Sequence, residues 1–140
     1  MLQPKKIKYL KVQKGSFKGI SYRGNMLYNG EYGLKSIDNF KFITQKQIEA
    51  ARIAINKYLE KGNKLFINIF PYKPITKKPQ EVRMGKGKGN FEIWVCPVKP
   101  GKIIFELKNI NYKLAKKALI AGSHKLPIKT KFIVSNFIKL

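Results

Sequence analysis

The central stretch of the chain is Val82-Arg83-Met84-Gly85-Lys86-Gly87-Lys88-Gly89-Asn90, set between strand-like segments at Leu65 to Phe70 and Phe91 to Cys96. Its three glycines alternate with two lysines, so the backbone can adopt positive φ or approach another surface closely. Prolines at 71, 74 and 79 stiffen the preceding segment because they fix φ. We therefore predict a flexible cationic tip on a rigid stalk, which suits phosphate groups.

Two other interpretations of this stretch stay open. A solvated hairpin loop has the same composition, since Gly and Lys are common on surfaces. A nucleotide site is disfavoured because Gly-x-Gly-x-Gly matches neither the dinucleotide pattern nor the P-loop. The segment after Gly89 is also strand-like, so it places no helix N-terminus on a phosphate. We expect no nucleotide cofactor.

Charge narrows the function class. The 140 residues fit one domain and include 30 basic and 7 acidic side chains, a net charge of +23. Such a field opposes compaction unless a polyanion neutralises it, so nucleic acid is the expected partner. We expect no membrane partner, because no run approaches the ~20 apolar residues of a spanning helix. Neither predicted helix is both strongly basic and strongly amphipathic.

Catalytic and metal-binding sets are absent from the sequence pattern. Cys96 lies in a strand-like run and is interpreted as a packing residue, and His124 as a surface residue near a helix end. The seven acids are scattered, with no pair placed for acid–base chemistry. We expect neither an enzyme nor a metal site.

Residues 1–19 form a basic arm that carries six lysines and no acid: Lys5, Lys6, Lys8, Lys11, Lys14 and Lys18. Charge of one sign beside Gly15 and Gly19 predicts a segment that is poorly ordered alone and orders against RNA phosphates. A solvated tail is the alternative. Residues 20–140 are expected to form a single domain with an extended loop at 71–90.

Two helices are predicted. The first begins at the capping box Thr44-Gln45-Lys46-Gln47 and continues to about Lys61, with Gly62 as its stop. Its apolar face is Ile48, Ala51, Ile55, Tyr58 and Leu59. The second runs from the cap Asn111 to about Lys125, where Pro127 forbids continuation. Its apolar face is Leu114, Ala115, Ala118, Leu119 and Ala121, and Gly122 weakens it by ~1 kcal/mol.

The rest of the pattern favours strands. Residues 20–43 show short-strand and turn chemistry with a weak hairpin signal at Asn29-Gly30, and their aromatic residues could be core or base-stacking residues. The strands at 65–70 and 91–96 are expected to be neighbours, 91–96 and 102–107 to form a hairpin, and 131–137 to end the chain. The fold class is α+β: a two-layer sandwich, with two helices on one face of a mostly antiparallel sheet.

Several segments in order resemble the bacterial-type large-subunit ribosomal protein sixteen family. They are Met1-Leu2-Gln3-Pro4-Lys5, Tyr32-Gly33-Leu34-Lys35, Gln47-Ile48-Glu49-Ala50-Ala51-Arg52, Phe70-Pro71, Lys73-Pro74-Ile75-Thr76, Lys78-Pro79, Val82 through Asn90, Trp94-Val95, Pro100-Gly101-Lys102 and Lys125-Leu126-Pro127-Ile128-Lys129-Thr130. Residues 20–30 diverge from the family pattern, and arm positions that are often arginine are lysine here.

The resemblance implies a structural protein of the large ribosomal subunit that supports translation. Its partners would be large-subunit rRNA, neighbouring large-subunit proteins and tRNA at the aminoacyl site, near the peptidyl transferase region. It also implies that the loop reaches toward tRNA and that the protein joins late in subunit assembly. The alternative is an RNA chaperone or ribosome-maturation factor that does not reside in the ribosome.

These expectations assign residues to two groups. The rRNA-binding group is Lys5, Lys6, Lys8, Lys11, Lys14, Lys18, Lys73, Lys77, Lys78, Lys125 and Lys129. The loop-tip group, which contacts tRNA or rRNA, is Arg83, Met84, Gly85, Lys86, Gly87, Lys88 and Gly89. Arginine is rare and residues with AT-rich codons are abundant, and no presequence pattern is evident. We therefore expect an organelle-encoded mitochondrial protein, with a plastid or the cytoplasm of an AT-rich bacterium as alternatives.

Overall fold

The computed structural model describes residues 2–135, so the end of the predicted strand at 131–137 lies outside the described residues. Two helices and seven strands occupy the described part. In chain order they are β1 (Tyr32–Ser36), β2 (Lys41–Thr44), α1 (Gln45–Asn56), β3 (Lys64–Ile67), β4 (Lys73–Lys77), β5 (Asn90–Val98), β6 (Ile103–Lys108), α2 (Tyr112–Ser123) and β7 (Thr130–Val134).

The predicted α+β class is confirmed, but the strands form two antiparallel sheets instead of one. The larger sheet has the order β3-β6-β1-β7, and the smaller sheet has the order β2-β5-β4. Helix α1 packs on β2 and β5, α2 packs on β1 and β7, and the two helices pack on each other. The helix pair therefore joins the sheets through one apolar core, whose largest fully buried side chain is Phe105.

The predicted pairing of 65–70 with 91–96 is wrong. Strand β3 pairs with β6 in the larger sheet, whereas β5 pairs with β4, which lies in the segment predicted as a proline stalk. The β4–β5 register runs from Lys73 opposite Val95 to Lys77 opposite Asn90. Strand β4 is an edge strand, where a proline such as Pro74 is tolerated because one side of the strand needs no backbone donor.

The predicted hairpin between 91–96 and 102–107 is also wrong, because β5 and β6 belong to different sheets. Gly101, with φ +88°, lies in the turn between them. All five residues from Ile103 to Leu107 are buried. A strand covered on both faces belongs inside a sheet, and β6 lies between β3 and β1.

Helix α1 begins as predicted. The Gln47 N–H donates to the Thr44 hydroxyl at 3.3 Å, and the Thr44 N–H donates to Gln47 Oε1 at 2.9 Å, which is the capping box. The helix ends at Asn56, earlier than the predicted Lys61. Beyond it Tyr58 bonds back to Ile55 in a tighter turn and remains 42% exposed, so Tyr58 is not part of the buried face.

Helix α2 also begins at the predicted cap, where the Lys113 N–H donates to Asn111 Oδ1 at 3.0 Å. Its buried face includes Gly122. A Cβ at Gly122 would lie 2.6 Å from Ile55 Cγ1, so the absence of a side chain allows α1 and α2 to approach closely. Gly122 therefore serves helix packing as well as lowering helix propensity.

Residues 20–31 contain no strand, so Asn29-Gly30 is not a strand hairpin turn. The segment is held by Glu106, which is fully buried in β6. Its Oε2 accepts from the N–H groups of Tyr28 at 3.3 Å and of Asn29 and Gly30 at 2.8 Å. Its Oε1 accepts from the Asn68 side chain. This carboxylate anchors the segment together with three backbone hydrogen bonds, which run from Ser21 to Pro100, from Ile103 to Gly24 and from Glu31 to Leu107.

Candidate nucleic-acid interface

The loop at residues 78–89 extends from the end of the β4–β5 ribbon. Residues 79–88 are all exposed, and the Met84 side chain is fully open to solvent. Gly85, Lys86 and Gly87 have φ values of +106°, +52° and +90°, three successive residues with positive φ. Glycine adopts this region without a Cβ penalty, and Lys86 is the exception. Its conformation gives the tip a sharply curved backbone with lysines projecting from it.

Gly89 has a different role, at the base of the loop. A Cβ there would lie 2.5 Å from the Lys77 carbonyl oxygen and 2.8 Å from the Lys78 nitrogen. The two ribbon backbones therefore meet at a distance that excludes a side chain. The Lys78 ammonium also donates to the Gly85 carbonyl, a bond between the base of the loop and its tip.

The basic arm lies against this loop. The Lys11 ammonium donates to the Lys88 carbonyl at 3.1 Å, and the Lys88 ammonium donates to the Val12 carbonyl at 2.6 Å. Each cation is thus bonded to a backbone oxygen of the other segment. Arm and loop tip, predicted as separate features, form one surface.

A second attachment holds the arm to the smaller sheet. The Lys73 ammonium donates to the Lys14 carbonyl at 2.5 Å and lies 4.4 Å from the centre of the Phe17 ring. Phe17 stacks on Phe40 with ring centres 4.7 Å apart and meets Phe42 edge-on at 5.9 Å. This aromatic cluster anchors the arm within the protein.

The structure brings some predicted site residues together and leaves others apart. Five lysines lie around the ribbon: Lys11, Lys14, Lys73, Lys78 and Lys88. Three side chains lie exposed at its tip: Arg83, Met84 and Lys86. The other arm lysines, which are also exposed, are Lys5, Lys6, Lys8 and Lys18. Lys77 faces Glu92 Oε1 at 3.6 Å. Lys125 and Lys129 follow α2 instead, on the connection to β7.

The ribbon keeps an excess of positive charge. Residues 71–90 contain six basic side chains and one acid, Glu81. Other acids are engaged elsewhere: hydrogen bonds from Lys41 lower the pKa of Asp38, and those from Arg52 lower the pKa of Glu49. The surface around the loop therefore attracts anions, and phosphate is the anion that exposed lysine and arginine bind well.

Three features of this site were not predicted from the sequence. The docking of the arm depends on ammonium-to-carbonyl bonds, which have no residue signature. The ring of Phe17 anchors the arm. The sequence signal for this role is a large aromatic residue within a polar, basic segment, between Ser16 and Lys18. Glu106 is an acid in an apolar run, and such a residue is a recognisable sign of a buried, hydrogen-bonded carboxylate.

The remaining reactive residues have structural positions. Cys96 is buried, and this burial raises the pKa of its thiol to about 11, so the predicted packing role is confirmed. His124 is exposed at the end of α2. Within residues 2–135 no group of His, Cys, Asp and Glu is arranged to hold a metal ion. In the same range no helix has the length and apolar character needed to cross a membrane.

Fold and surface define a class: a small, strongly basic α+β protein that presents a cationic glycine-rich loop on a two-stranded ribbon. Comparison with known proteins makes the class specific. The family model described as "Ribosomal protein L16p/L10e" matches residues 4–133. The chain belongs to this family of ribosomal proteins, and the resemblance seen in the sequence is confirmed.

Similar proteins carry the name "Large ribosomal subunit protein uL16". The one from Christiangramia forsetii is 55% identical over 135 residues and covers 96% of both chains. The one from Parabacteroides distasonis is 54% identical and covers 96% of this chain and 92% of its own. That of Flavobacterium psychrophilum is 55% identical over 136 residues and covers 96% of both chains. These relatives are bacterial, so the expected mitochondrial location gains no support from them.

Proposed function

We propose that this protein is a structural constituent of the large ribosomal subunit of an AT-rich bacterium, where it binds large-subunit rRNA. Membership in a ribosomal protein family supports a structural rather than an enzymatic role. The observation that carries the proposal is the single cationic surface formed by arm and loop through Lys11, Val12 and Lys88. Ribosomal proteins bind a continuous polyanion, and the positive charge of this surface is complementary to one.

On this proposal the arm and ribbon lysines neutralise rRNA phosphates. Lys5, Lys6, Lys8 and Lys18 are exposed and reach phosphates directly, and Lys125 and Lys129 extend the contact beyond the ribbon. Lysine contacts to phosphate release condensed counterions, so binding of the isolated protein weakens steeply as salt rises. Such contacts position the protein and carry little sequence preference.

The loop tip, Arg83 to Gly89, is the part we assign to tRNA at the aminoacyl site, near the peptidyl transferase region. Its support is geometric: the tip is exposed and strongly curved, and its side chains carry positive charge. Arg83 is the key residue, because a guanidinium pairs with a phosphate through two bonds or stacks on a base. We further propose that docking of this tip belongs to a late step of subunit assembly, beside neighbouring large-subunit proteins.

Sedimentation through a high-salt sucrose gradient tests residence in the ribosome. Bacterial lysate is fractionated, and this chain is quantified by mass spectrometry against known large-subunit proteins. We expect a constant one-to-one ratio across the large-subunit and monosome peaks. Recovery only in lighter precursor fractions, or loss in salt, would instead identify a non-resident RNA chaperone or maturation factor.

A further inference from the structure

A groove lies beside the ribbon, away from the loop tip. It has a volume of about 540 Å³. Its walls include the aromatic rings of Phe17, Phe70 and Tyr72, its floor includes Cys96, and Lys99 and Lys102 also line it. No Asp or Glu of the described residues lines it. Aromatic faces beside lysines, without a competing carboxylate, form a surface with both stacking and phosphate-binding groups.

The two outer aromatic rings are exposed for a structural reason. Along the connection from β3 to β4, Ile69 and Pro71 are buried whereas Phe70 is 44% and Tyr72 is 54% exposed. This alternation of buried and exposed side chains places both rings on the same outward side of the connection. Large aromatic side chains exposed in adjacent outward positions are available for a partner.

The segment that carries these rings is fixed in place. At its start the Asn68 N–H donates to the Ile104 carbonyl at 2.9 Å, and the Asn68 side chain donates to buried Glu106. At its end Lys73 enters β4 opposite Val95. A partner therefore meets rings that are already positioned, and binding requires little additional ordering of the chain.

Lysine positions decide the chemistry of the occupant. The Lys102 ammonium lies 3.4 Å from the Arg23 carbonyl, which holds it at the groove. Lys99 adds a second positive charge at the groove, within a chain of net charge +23. An anionic partner with a flat apolar group satisfies both the cations and the rings, and a nucleotide within a polynucleotide strand has this combination.

We propose that this groove binds an unpaired base of single-stranded RNA, which stacks on Tyr72 and Phe70 while its phosphates contact Lys99 and Lys102. The assignment rests on the rRNA-binding function proposed above and adds a second kind of contact to it. A paired A-form helix keeps its bases stacked internally, so duplex RNA cannot enter the groove in this way. The groove therefore selects unpaired segments, whereas the loop and arm contact phosphates of any strand.

Binding of two RNA probes to the full-length protein tests the groove. Fluorescence anisotropy measures the affinity for a labelled oligoadenylate and for a labelled RNA duplex with a similar number of phosphates. We expect Tyr72→Leu, which removes the aromatic face but keeps an apolar side chain, to weaken oligoadenylate binding about ten-fold. Tyr72→Phe keeps the face and should retain the wild-type affinity. Neither change should alter duplex affinity, and circular dichroism checks that each variant is folded.

Tyr58→Leu is the matched control, because Tyr58 is 42% exposed beyond the end of α1 and does not line the groove. An unchanged oligoadenylate affinity in Tyr72→Leu, or an equal loss for both probes, would overturn the groove assignment. Either result leaves wild-type duplex binding and ribosome residence intact. A wild-type protein that binds neither probe would instead contradict the rRNA-binding function.

Discussion

Lys11 and Lys88 lie 77 positions apart in the chain, yet the Lys11 ammonium donates to the Lys88 carbonyl at 3.1 Å. The Lys88 ammonium donates in turn to the Val12 carbonyl at 2.6 Å. Two cations can share this site because each faces a backbone oxygen and both remain in contact with water, where like charges repel weakly. The contact makes the arm part of the loop surface before any RNA binds.

Removal of this contact should loosen the arm. We expect Lys88→Gln to raise amide hydrogen exchange of residues 11–17 by about three-fold, a modest effect because the bond is solvent-exposed. Lys86→Gln is the matched control, since it removes the same charge from the same tip. Equal exchange in the two variants would show that the arm is held by other contacts, such as Lys73 with Lys14 and Phe17.

Loss of the guanidinium at the tip should affect function more than stability. We expect Arg83→Ala to slow tRNA accommodation or late subunit assembly by about ten-fold, the equivalent of one lost charge-assisted contact of about 1.4 kcal/mol. Arg83 is exposed, so the folded chain should unfold at the same urea concentration as the wild type.

Lys57→Ala provides the comparison for Arg83, because Lys57 is an exposed cation at the end of α1, in a different part of the fold. Ribosomes that carry either variant are compared by rapid kinetics of aminoacyl-tRNA binding and by the fraction of immature large subunits. Equal rates and equal assembly in the two variants would contradict a tRNA or assembly role for the tip.

Local features of the fold could be predicted from the sequence because local interactions determine them. The Thr44 capping box, the Asn111 cap and the helix faces around Ile48 and Ala118 depend on residues within one or two turns. Strand pairing depends on distant residues. Strands β3 and β5 have similar apolar patterns. Neither pattern indicates that β3 pairs with β6 and that β5 pairs with β4.

The site divides in the same way. The glycine and lysine spacing predicted an exposed cationic loop, and the positive φ values of Gly85 and Gly87 agree with it. Docking of the arm could not be predicted, because a lysine that bonds to a backbone carbonyl can use any residue as its partner. The groove beside Tyr72 could not be predicted either, because its rings come from two distant parts of the sequence, the arm and the segment after β3.

The Glu106 carboxylate should be essential for stability. In Glu106→Gln one of its two oxygens becomes an amide NH₂ group. Turned toward residues 28–30 this group meets N–H donors, and turned toward Asn68 it requires the Asn68 amide to rotate so that its oxygen accepts. The bonds from the N–H groups of residues 28–30 also lose their charged acceptor, so we expect the free energy of unfolding in urea to fall by about 1–2 kcal/mol. If the free energy of unfolding falls by less than about 0.5 kcal/mol, the hydrogen bonds to Glu106 do not stabilise the fold.

Two further variants make the Glu106 test specific. Glu92→Gln removes an exposed carboxylate whose partner Lys77 lies 3.6 Å away, and it should change stability by less than about 0.5 kcal/mol. The double variant Glu106→Gln with Asn68→Asp restores an acceptor opposite the new donor. It should recover part of the lost stability, whereas additive losses would show that Asn68 and Glu106 act independently.

Close helix packing at Gly122 predicts that alanine at this position destabilises the protein, whereas helix propensity alone predicts that it stabilises it. Alanine favours a helix by ~1 kcal/mol over glycine. A Cβ at this position would lie 2.6 Å from Ile55 Cγ1 and 2.8 Å from Ile55 Cδ1, so the Ile55 side chain or the two helices must shift. We expect Gly122→Ala to lower the free energy of unfolding by about 1–2 kcal/mol. In an Ile55→Ala background the same change should be neutral or stabilising, and an equal loss in both backgrounds would contradict the packing argument.

The buried thiol of Cys96 predicts a loss of stability at alkaline pH. Burial raises the pKa of this thiol from 9.0 to about 11, so the unfolded chain loses the proton first as pH rises. The neutral thiol contributes its full stability below pH 9, and that contribution is lost between pH 9 and about pH 11. Urea unfolding at both ends of this window should show that the wild type loses about 2–3 kcal/mol more than Cys96→Ala, because the two proteins differ only at this thiol. Equal losses in the two proteins would mean that Cys96 ionises as readily in the folded chain as in the unfolded one.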